Sequence, residues 1–418
     1  MTVPQAQDPA APASAAAPSS KATLAIVFFT VFLDLLGFGL IIPVQTYYAE
    51  SFGARPALIT LIGASYSAMQ FIFMPFWGRL SDRIGRRPVV LISVAVSCVG
   101  FLLFGLADSL WMLFAARMLA GFGNANIGAA QAVIADSTGP QDRAKGMGMI
   151  GMAFGLGFVI GPALGGALGQ FGLAVPAFAA SALAAANWVS AYFLLPETRK
   201  IGSASAHAGR AAARKKILAQ PTLKRLMAMS FVITTGFALM EQVLALFVER
   251  FWVPQALDPA TAAEGHKRAA ALTTWVFLSV GLTMAVVQGG LIGRLVRRFG
   301  EAKLVIAGSA LITIGMVTQP LTGELHSFSL LIATAMLLAL GSGMTTPSIT
   351  GLLSRSVDSD QQGSALGLGQ SASALGRVIG PAMAGILFEV GPRWPFWTGA
   401  ALTMIGMLVA LGLRQPAE

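Results

Sequence analysis

The chain has only one cysteine, Cys98, and three histidines among its 418 residues. A single thiol excludes an intramolecular disulfide, and His207, His266 and His326 lie too far apart in sequence to show metal-ligand spacing. We therefore expect no metal site and no cofactor. Charged residues are also scarce, at 11%, whereas hydrophobic residues make up 55% of the chain. This composition is not that of an ordinary soluble protein.

Acidic residues are the scarcer of the two charged classes, with 18 Asp and Glu against 28 Lys and Arg, which gives a formal net charge of +10. Such an excess could indicate nucleic-acid binding. Most of the basic residues, however, lie in segments between apolar runs that would share one side of a membrane, the pattern of cytoplasmic loops. We interpret the charge as a topology signal and predict no nucleic-acid partner.

Twelve apolar runs of about 20 residues, the length of a transmembrane helix, lie between Leu24 and Leu413. The sequence thus predicts an all-α, multi-pass membrane protein with both termini cytoplasmic. The Ala-, Pro- and Ser-rich stretch 1–22 is predicted to be a disordered tail. It is not a signal peptide, because the apolar run that follows is too long and contains Asp34.

An internal repeat divides the chain into two similar parts. Gly78-Arg79-Leu80 with Arg83-Ile84-Gly85 recurs as Gly293-Arg294-Leu295 with Arg298-Phe299-Gly300, and Val159–Ala163 recurs as Val378–Ala382. Six spans per copy make the copies parallel in topology. We predict a first six-helix bundle over 23–196, a cytoplasmic linker over 197–224 and a second bundle over 225–418.

A charged loop joins the second and third spans at 78–88. Five charges in nine residues exclude it from hydrocarbon, the two glycines permit a tight turn, and Pro88 suits the start of a helix. Its pattern G-x-L-x-D-R-x-G-R-R closely resembles the signature loop of the major facilitator superfamily. Asp136 and Arg143, at the inner end of the fourth span, resemble the same family's inner-surface pattern. The predicted cytoplasmic gate comprises Gly78, Asp82, Arg83, Gly85, Arg86, Asp136 and Arg143.

Two acids and one arginine lie inside predicted spans. Asp34 is about mid-depth in the first span, where an ionised carboxylate costs about 2.5–3.5 kcal/mol unless it faces a cavity or a partner. It is either a structural hydrogen-bonding group or a proton or substrate site. Glu241 occupies a similar depth in the seventh span. Arg117 either extends to the membrane surface or faces a wet interior, which Asn124, Asn126 and Gln131 on the same span favour. The predicted substrate cavity comprises Asp34, Phe38, Asn124, Gln131, Glu241 and Gln242.

The fifth span carries glycines every fourth residue, at 157, 161, 165 and 169, which lie on one helix face. Together with Pro162 and Gly166, Gly157, Gly161 and Gly165 closely resemble the antiporter motif of the superfamily's drug pumps. The eighth span has a similar face with Gly281, Ala285, Gly289 and Gly293. The resemblance implies that these two helices meet across the boundary between the bundles, and their small-residue faces would then form a hinge or ordinary tight packing.

The resemblance covers residues 24–413, and it is closest to the twelve-helix drug:proton antiporters, including the tetracycline-efflux pumps. It implies a monomeric, non-enzymatic transporter of the bacterial inner membrane that exports amphipathic or cationic drugs by alternating access. In such a pump Asp34 would couple protons, Arg117 would modulate it, and Glu241 would bind substrate or a second proton.

The tetracycline pumps carry further acids in the third and ninth spans. Here Gly100 stands at the corresponding depth of the third span, and no acid follows Glu301 in the ninth. This difference favours a drug other than tetracycline. Proton-coupled uptake of a small metabolite is the alternative function.

Overall fold

The computed structural model describes residues 20–137, 143–198, 220–254, 261–357 and 361–412. Within these ranges the chain is helical, with no β-strand. Ten helices are long and apolar enough to cross a membrane by length and composition, and a further apolar stretch covers Gly155–Gly169. The helices are α1 (Ser20–Glu50), α2 (Pro56–Ile84), α3 (Arg86–Gly105), α4 (Leu110–Gly123 and Ile127–Ser137, joined by the 3-10 turn Asn124–Asn126), α5 (Arg143–Gly169), α6 (Val175–Leu194), α7 (Pro221–Trp252), α8 (Ala262–Val286 and Ile292–Phe299, joined by the π-helical turn Val287–Leu291), α9 (Glu301–Glu324), α10 (Phe328–Arg355), α11 (Gln362–Val390) and α12 (Trp394–Leu411).

Proline and glycine set many of these boundaries. Proline stands at the first or second position of α2, α6, α7 and α12, where its missing N–H removes no helical hydrogen bond. Gly85 between α2 and α3 has φ +108°, and its repeat counterpart Gly300 between α8 and α9 has φ +76°. Both values lie where a side chain would be strained. The repeat in the sequence therefore corresponds to the same turn in each half.

The first six helices and the last six pack mainly among themselves. In the first half α1 packs on α5 and α6, and α3 packs on α4 and α6; in the second half α7 packs on α11 and α12, and α9 packs on α10 and α12. The halves meet mainly along two pairs, α2 with α11 and α5 with α8. This architecture confirms the predicted fold class. Most of the predicted tail and linker lies outside the described residues.

The glycine face of α5 packs differently from our prediction. Cβ atoms built at Gly157, Gly161 and Gly169 would lie 2.6–2.7 Å from Leu35, Gly39 and Val44 of α1, and one at Gly165 would overlap the Leu40 carbonyl group. The face thus brings α5 against α1, within one half. Contact with α8 uses other positions, since Gly166 adjoins Thr274 and Gly155 adjoins Gln288.

Part of the matching face of α8 is not filled by α5. Cβ atoms built at Gly289 and Gly293 would have no heavy atom of the described residues within 4 Å. The two helices meet across the boundary between the halves, as predicted, but these two glycines do not contact the glycine face of α5. The physical reason is that backbones approach most closely where both helices lack side chains, and Gly39 of α1 supplies that partner for Gly161.

Candidate functional site

Asp34 is 6% exposed, and neutral amide groups hold it inside the first half. Asn187 Nδ2 of α6 donates to its Oδ1 at 3.2 Å, and Asn126 Nδ2 of the α4 turn donates to its Oδ2 at 3.2 Å. Each amide also donates a second bond, to the Thr30 carbonyl at 3.1 Å and to Ser93 Oγ at 2.7 Å. No ion pair to Asp34 occurs within 4.0 Å in the described ranges, so neutral groups alone compensate the buried carboxylate.

Arg117 is 3% exposed and lies against a pair of aromatic rings rather than at the membrane surface. Its Cζ lies 4.5 Å from the Tyr66 ring centroid and 5.3 Å from that of Phe38. The two rings stack, with centroids 4.6 Å apart. Nε and Nη1 of Arg117 have no hydrogen-bond partner in the described part of the chain. Cation–π attraction to the two rings therefore holds the guanidinium, as such contacts do most strongly away from water.

Tyr66 of α2 lies among polar groups of both halves. Its ring face contacts the Arg117 guanidinium, and Asp34 of the first half and Arg377 of α11 in the second lie nearby. Glu241 of α7 lies near Arg377 in turn. No ion pair joins Glu241 and Arg377 within 4.0 Å in the ranges described. These five side chains define the polar cluster.

Glu241 lines two cavities at the junction of the halves. The smaller one adjoins Arg117 and is lined by Ile42, Gln45, Thr46, Arg117, Glu241, Gln242, Ala245 and Phe277. The larger one, of about 80 Å³, is lined by Pro162, Phe237, Met240, Glu241, Leu244, Phe277, Val280, Met284, Gln319, Ala335, Leu338 and Ala339. Apart from Gln319, all neighbours of Glu241 in the larger cavity are apolar, so a carboxylate faces a hydrophobic space.

The predicted site residues thus separate into two groups. Glu241 and Gln242 line the smaller cavity together with Arg117, and Phe38 contacts Arg117 from the side. Asp34, Asn124 and Gln131 line neither of these two cavities. Asn124 instead accepts from Gln70 Nε2 through its carbonyl at 3.1 Å and from Ser97 Oγ through Oδ1 at 3.3 Å. In this conformation Asp34 therefore lies within the first half and lines neither of the two cavities that Glu241 lines.

The charged loop is organised by an ion pair and by a residue that we did not predict. Arg86 Nη1 lies 2.6 Å from both Asp82 Oδ1 and Ser81 Oγ. The carboxylate of Glu197, which follows α6, accepts from the backbone N–H groups of Arg86 and Arg87 at 3.0 and 3.1 Å. It thereby caps the N-terminus of α3, where negative charge is favoured. The side chains of Asp136 and Arg143 lie outside the described residues.

Sequence reasoning missed Asn187, Tyr66 and Glu197 because each acts through helices distant in sequence. A lone Asn in an apolar run was a detectable signal for Asn187, whereas nothing in the sequence distinguishes Tyr66. Gly100 has a structural explanation: a Cβ there would lie 2.7 Å from the Ala120 backbone nitrogen of α4. Close packing of α3 on α4 therefore leaves no room for an acid at that depth.

Comparisons with known proteins agree with this architecture. The family model described as Major Facilitator Superfamily matches residues 27–263 and 255–418. The chain is 30% identical over 396 residues to the tetracycline resistance protein, class C, of Escherichia coli, covering 91% of this chain and 93% of that one. It is 28% identical over 393 residues to multidrug resistance protein 2 of Bacillus subtilis, covering 93% and 94%.

Solved structures show the same fold at low identity. The human organic anion transporter MFSD10 (TETRAN) superposes with a TM-score of 0.67 at 24% identity, over 94% of this chain and all of that one. A bacterial homolog of the human lysosomal transporter Spinster, in an inward-facing and occupied conformation, gives 0.70 at 14% identity, over 95% and 97%.

Proposed function

Because the chain belongs to the major facilitator superfamily of membrane transporters, we propose that it exports amphipathic, cationic drugs in exchange for protons. The proposed location is a bacterial inner membrane, with the 78–88 loop and both termini in the cytoplasm. The names of its relatives, which are tetracycline and multidrug resistance proteins, support a drug as substrate.

The observation that carries this proposal is the larger cavity with its single carboxylate. Side chains from α5, α7, α8, α9 and α10 surround it, and Glu241 is its only acidic lining residue among those described. Ligand sites are typically apolar with few polar groups that fix orientation, and they typically measure about 300–1,000 Å³. At about 80 Å³ this cavity must widen in another conformation before it can hold a whole drug. An apolar wall would bind the hydrophobic part of a drug, and Glu241 would bind a positive group. A hydrophilic metabolite would leave its polar groups unpaired against this wall, so uptake of such a metabolite has less support.

Asp34 is the proposed proton-coupling residue. Among the described residues its carboxylate has only neutral donors, Asn126 and Asn187, so a proton is the simplest partner for its negative charge when the first half is closed to water. Loss of that proton to the cytoplasm and uptake of another from outside would complete one exchange. A unit charge that crosses 100 mV yields about 2.3 kcal/mol, which is available to drive drug export.

Coupling between Asp34 and the drug is indirect in this proposal. Asp34 and Glu241 do not line the same cavity, but Arg117 lines the smaller cavity with Glu241 and contacts the ring of Tyr66, which lies near Asp34. A cationic drug at Glu241 would repel the Arg117 guanidinium, which also lines the smaller cavity. Displacement of Arg117 would then alter the electrostatic environment of Asp34.

The test compares Asp34→Asn and Glu241→Gln in reconstituted vesicles with an imposed pH gradient. Glu241→Gln should weaken binding of cationic drugs while neutral analogues bind as before. Asp34→Asn should retain drug binding and passive exchange but lose transport driven by the gradient. Glu264→Gln, an exposed acid at the start of α8, is the matched control and should behave as wild type.

Two results would contradict the proposal. Gradient-driven export by Asp34→Asn at the wild-type rate would remove Asp34 from proton coupling. Equal loss of cationic and neutral drugs in Glu241→Gln would show that Glu241 acts structurally rather than through its charge.

A further inference from the structure

Three side chains from three helices converge at the predicted outer end, away from the polar cluster. Glu50 is the last residue of α1, Glu249 lies near the end of α7, and His266 lies near the start of α8. His266 Nε2 is 3.4 Å from Glu249 Oε1 and 3.7 Å from Glu50 Oε2. One potential ligand atom from each residue lies within 4.8 Å of the other two. The group joins the first half of the chain to the second.

The carboxylate of Glu249 is buried without a hydrogen-bond partner. The residue is 1% exposed, and both of its carboxylate oxygens lack a partner in the described part of the chain, as does Glu50 Oε2. The nearby Tyr47 hydroxyl is already engaged, with Thr273 Oγ1 at 2.8 Å and the Ala245 carbonyl at 3.3 Å. Two buried carboxylates in contact are costly unless a cation accompanies them.

The neighbouring basic side chains do not supply that cation. Arg250, Lys267 and Arg268 are exposed to solvent. No ion pair connects them to Glu50 or Glu249 in the ranges that the structure describes. The histidine is the only basic group that touches the two acids there, and it can act as a neutral nitrogen ligand instead.

The two distances from His266 to the carboxylates suit zinc, and the two carboxylate oxygens lie within 4.8 Å of each other. Zinc binds His nitrogen at about 2.0–2.1 Å and carboxylate oxygen at about 2.0–2.2 Å in a tetrahedron. The edge of such a tetrahedron is about 3.4 Å, which equals the Nε2 to Glu249 oxygen distance and is close to the 3.7 Å to Glu50. The side chain of Glu50 is 16% exposed, so the fourth position would be open to water.

We propose that Glu50, Glu249 and His266 bind one Zn²⁺ ion that links the two halves at the predicted outer end. One His nitrogen and two carboxylates balance the ion's charge and leave one coordination position for water, as in three-ligand zinc sites. The ion would neutralise the two buried acids and hold α1 against α7 and α8. This site goes beyond the proposed drug transport and does not depend on it.

The test measures zinc binding to the full-length protein, purified in detergent without a polyhistidine tag and stripped with a chelator. Zn²⁺ is titrated in competition with a fluorescent zinc chelator, and bound zinc per chain is counted by mass spectrometry. The variants are His266→Ala and Glu249→Gln. The matched controls are His326→Ala, an exposed histidine, and Glu264→Gln, an exposed acid. Mg²⁺ replaces Zn²⁺ in a parallel titration.

We expect one Zn²⁺ per wild-type chain and per control chain, with no Mg²⁺ bound at this site. Affinity should fall more than about 100-fold in either site variant, beyond the effect of losing an outer-shell partner. X-ray absorption spectra at the zinc edge, recorded on the unmodified protein, should show nitrogen and oxygen ligands at about 2.0–2.2 Å. This measurement does not depend on the folding of any variant.

Absence of stoichiometric zinc from the wild-type chain would overturn the proposal. So would equal zinc binding by His266→Ala and the His326→Ala control, or a six-coordinate, all-oxygen spectrum. If the wild-type chain binds no zinc, the positive charge beside Glu50 and Glu249 would come from a proton shared by the two carboxylates or from a protonated His266. Because none of these readouts is transport, failure here is distinguishable from failure of the proposed drug export.

Discussion

Gly161 of α5 should not tolerate even a methyl group, because the backbones of α5 and α1 are in direct contact there. A Cβ atom at Gly161 would lie 2.6 Å from Gly39 Cα and 2.9 Å from its carbonyl carbon, whereas ordinary contact begins at 3.4 Å. The atoms in the way belong to the backbone, so no side-chain rotation relieves the overlap. The two helices would have to separate locally by about 0.8 Å in a close-packed interior.

The expected cost follows from two opposing effects. Overpacking of this kind typically costs about 1–3 kcal/mol. Replacing Gly by Ala within a helix regains up to about 1 kcal/mol. At mid-range the two effects leave a destabilisation of about 1 kcal/mol for Gly161→Ala, and the shift of α1 should also slow transport because α1 carries Asp34.

The assay is thermal unfolding of the purified protein in detergent. The measured quantity is the loss of the monodisperse peak in size-exclusion chromatography after heating. Two variants serve as matched controls. At Gly128 of α4 the nearest atom to a built Cβ is Met74 Cγ at 3.9 Å, and at Gly293 of α8 nothing lies within 4 Å. Gly128→Ala and Gly293→Ala should be as stable as wild type or slightly more stable. Equal stability of Gly161→Ala and both controls would refute the packing of α5 on α1.

Four further predictions concern topology, the charged loop and the outer end. Cysteines at the exposed positions Thr222 and His326, introduced into a cysteine-free background, should label from opposite sides of the membrane, and labelling from one side would contradict the predicted topology. Asp82→Asn removes the 2.6 Å ion pair with Arg86 and should cost less than about 1 kcal/mol of stability while it changes the transport rate; an unchanged rate at equal abundance would argue against a gate. Glu197→Ala should lower stability by about 0.5–2 kcal/mol, measured by the same thermal assay, and no loss would show that the α3 cap is dispensable. If the zinc site and the transport function both hold, external Zn²⁺ at 100 times its Kd should stabilise the arrangement in which Glu50, Glu249 and His266 meet by about 2.7 kcal/mol. It should then slow transport up to about 100-fold in vesicles, but not in Glu249→Gln.

The number, length and order of the helices could be predicted from the sequence. A membrane span is a local property, since about 20 apolar residues suffice to cross the hydrocarbon. The turn at Gly85 was also readable, because its glycine recurs as Gly300 in the second copy and both adopt positive φ. Asp34 and Glu241 could also be identified from the sequence, because a carboxylate within an apolar run needs a partner, wherever that partner is.

The identity of each partner was decided only by the tertiary structure. The sequence placed Asp34 and Glu241 in one cavity, but Asn126 and Asn187 hold Asp34 within the first half. Glu241 instead lines the smaller cavity, which side chains of both halves surround. The glycine face of α5 was evident, yet a face does not specify which helix covers it. That choice depends on matching small residues across all neighbouring helices at once.

The group formed by Glu50, Glu249 and His266 shows most clearly that the sequence does not identify partners from distant helices. His266 has no metal-ligand spacing in the sequence, and its two acidic neighbours stand at positions 50 and 249. Short-range ligand motifs are visible because one loop or helix turn brings the ligands together. Here three helix ends from both halves do so, and only their packing places His266 Nε2 within 4 Å of both carboxylates.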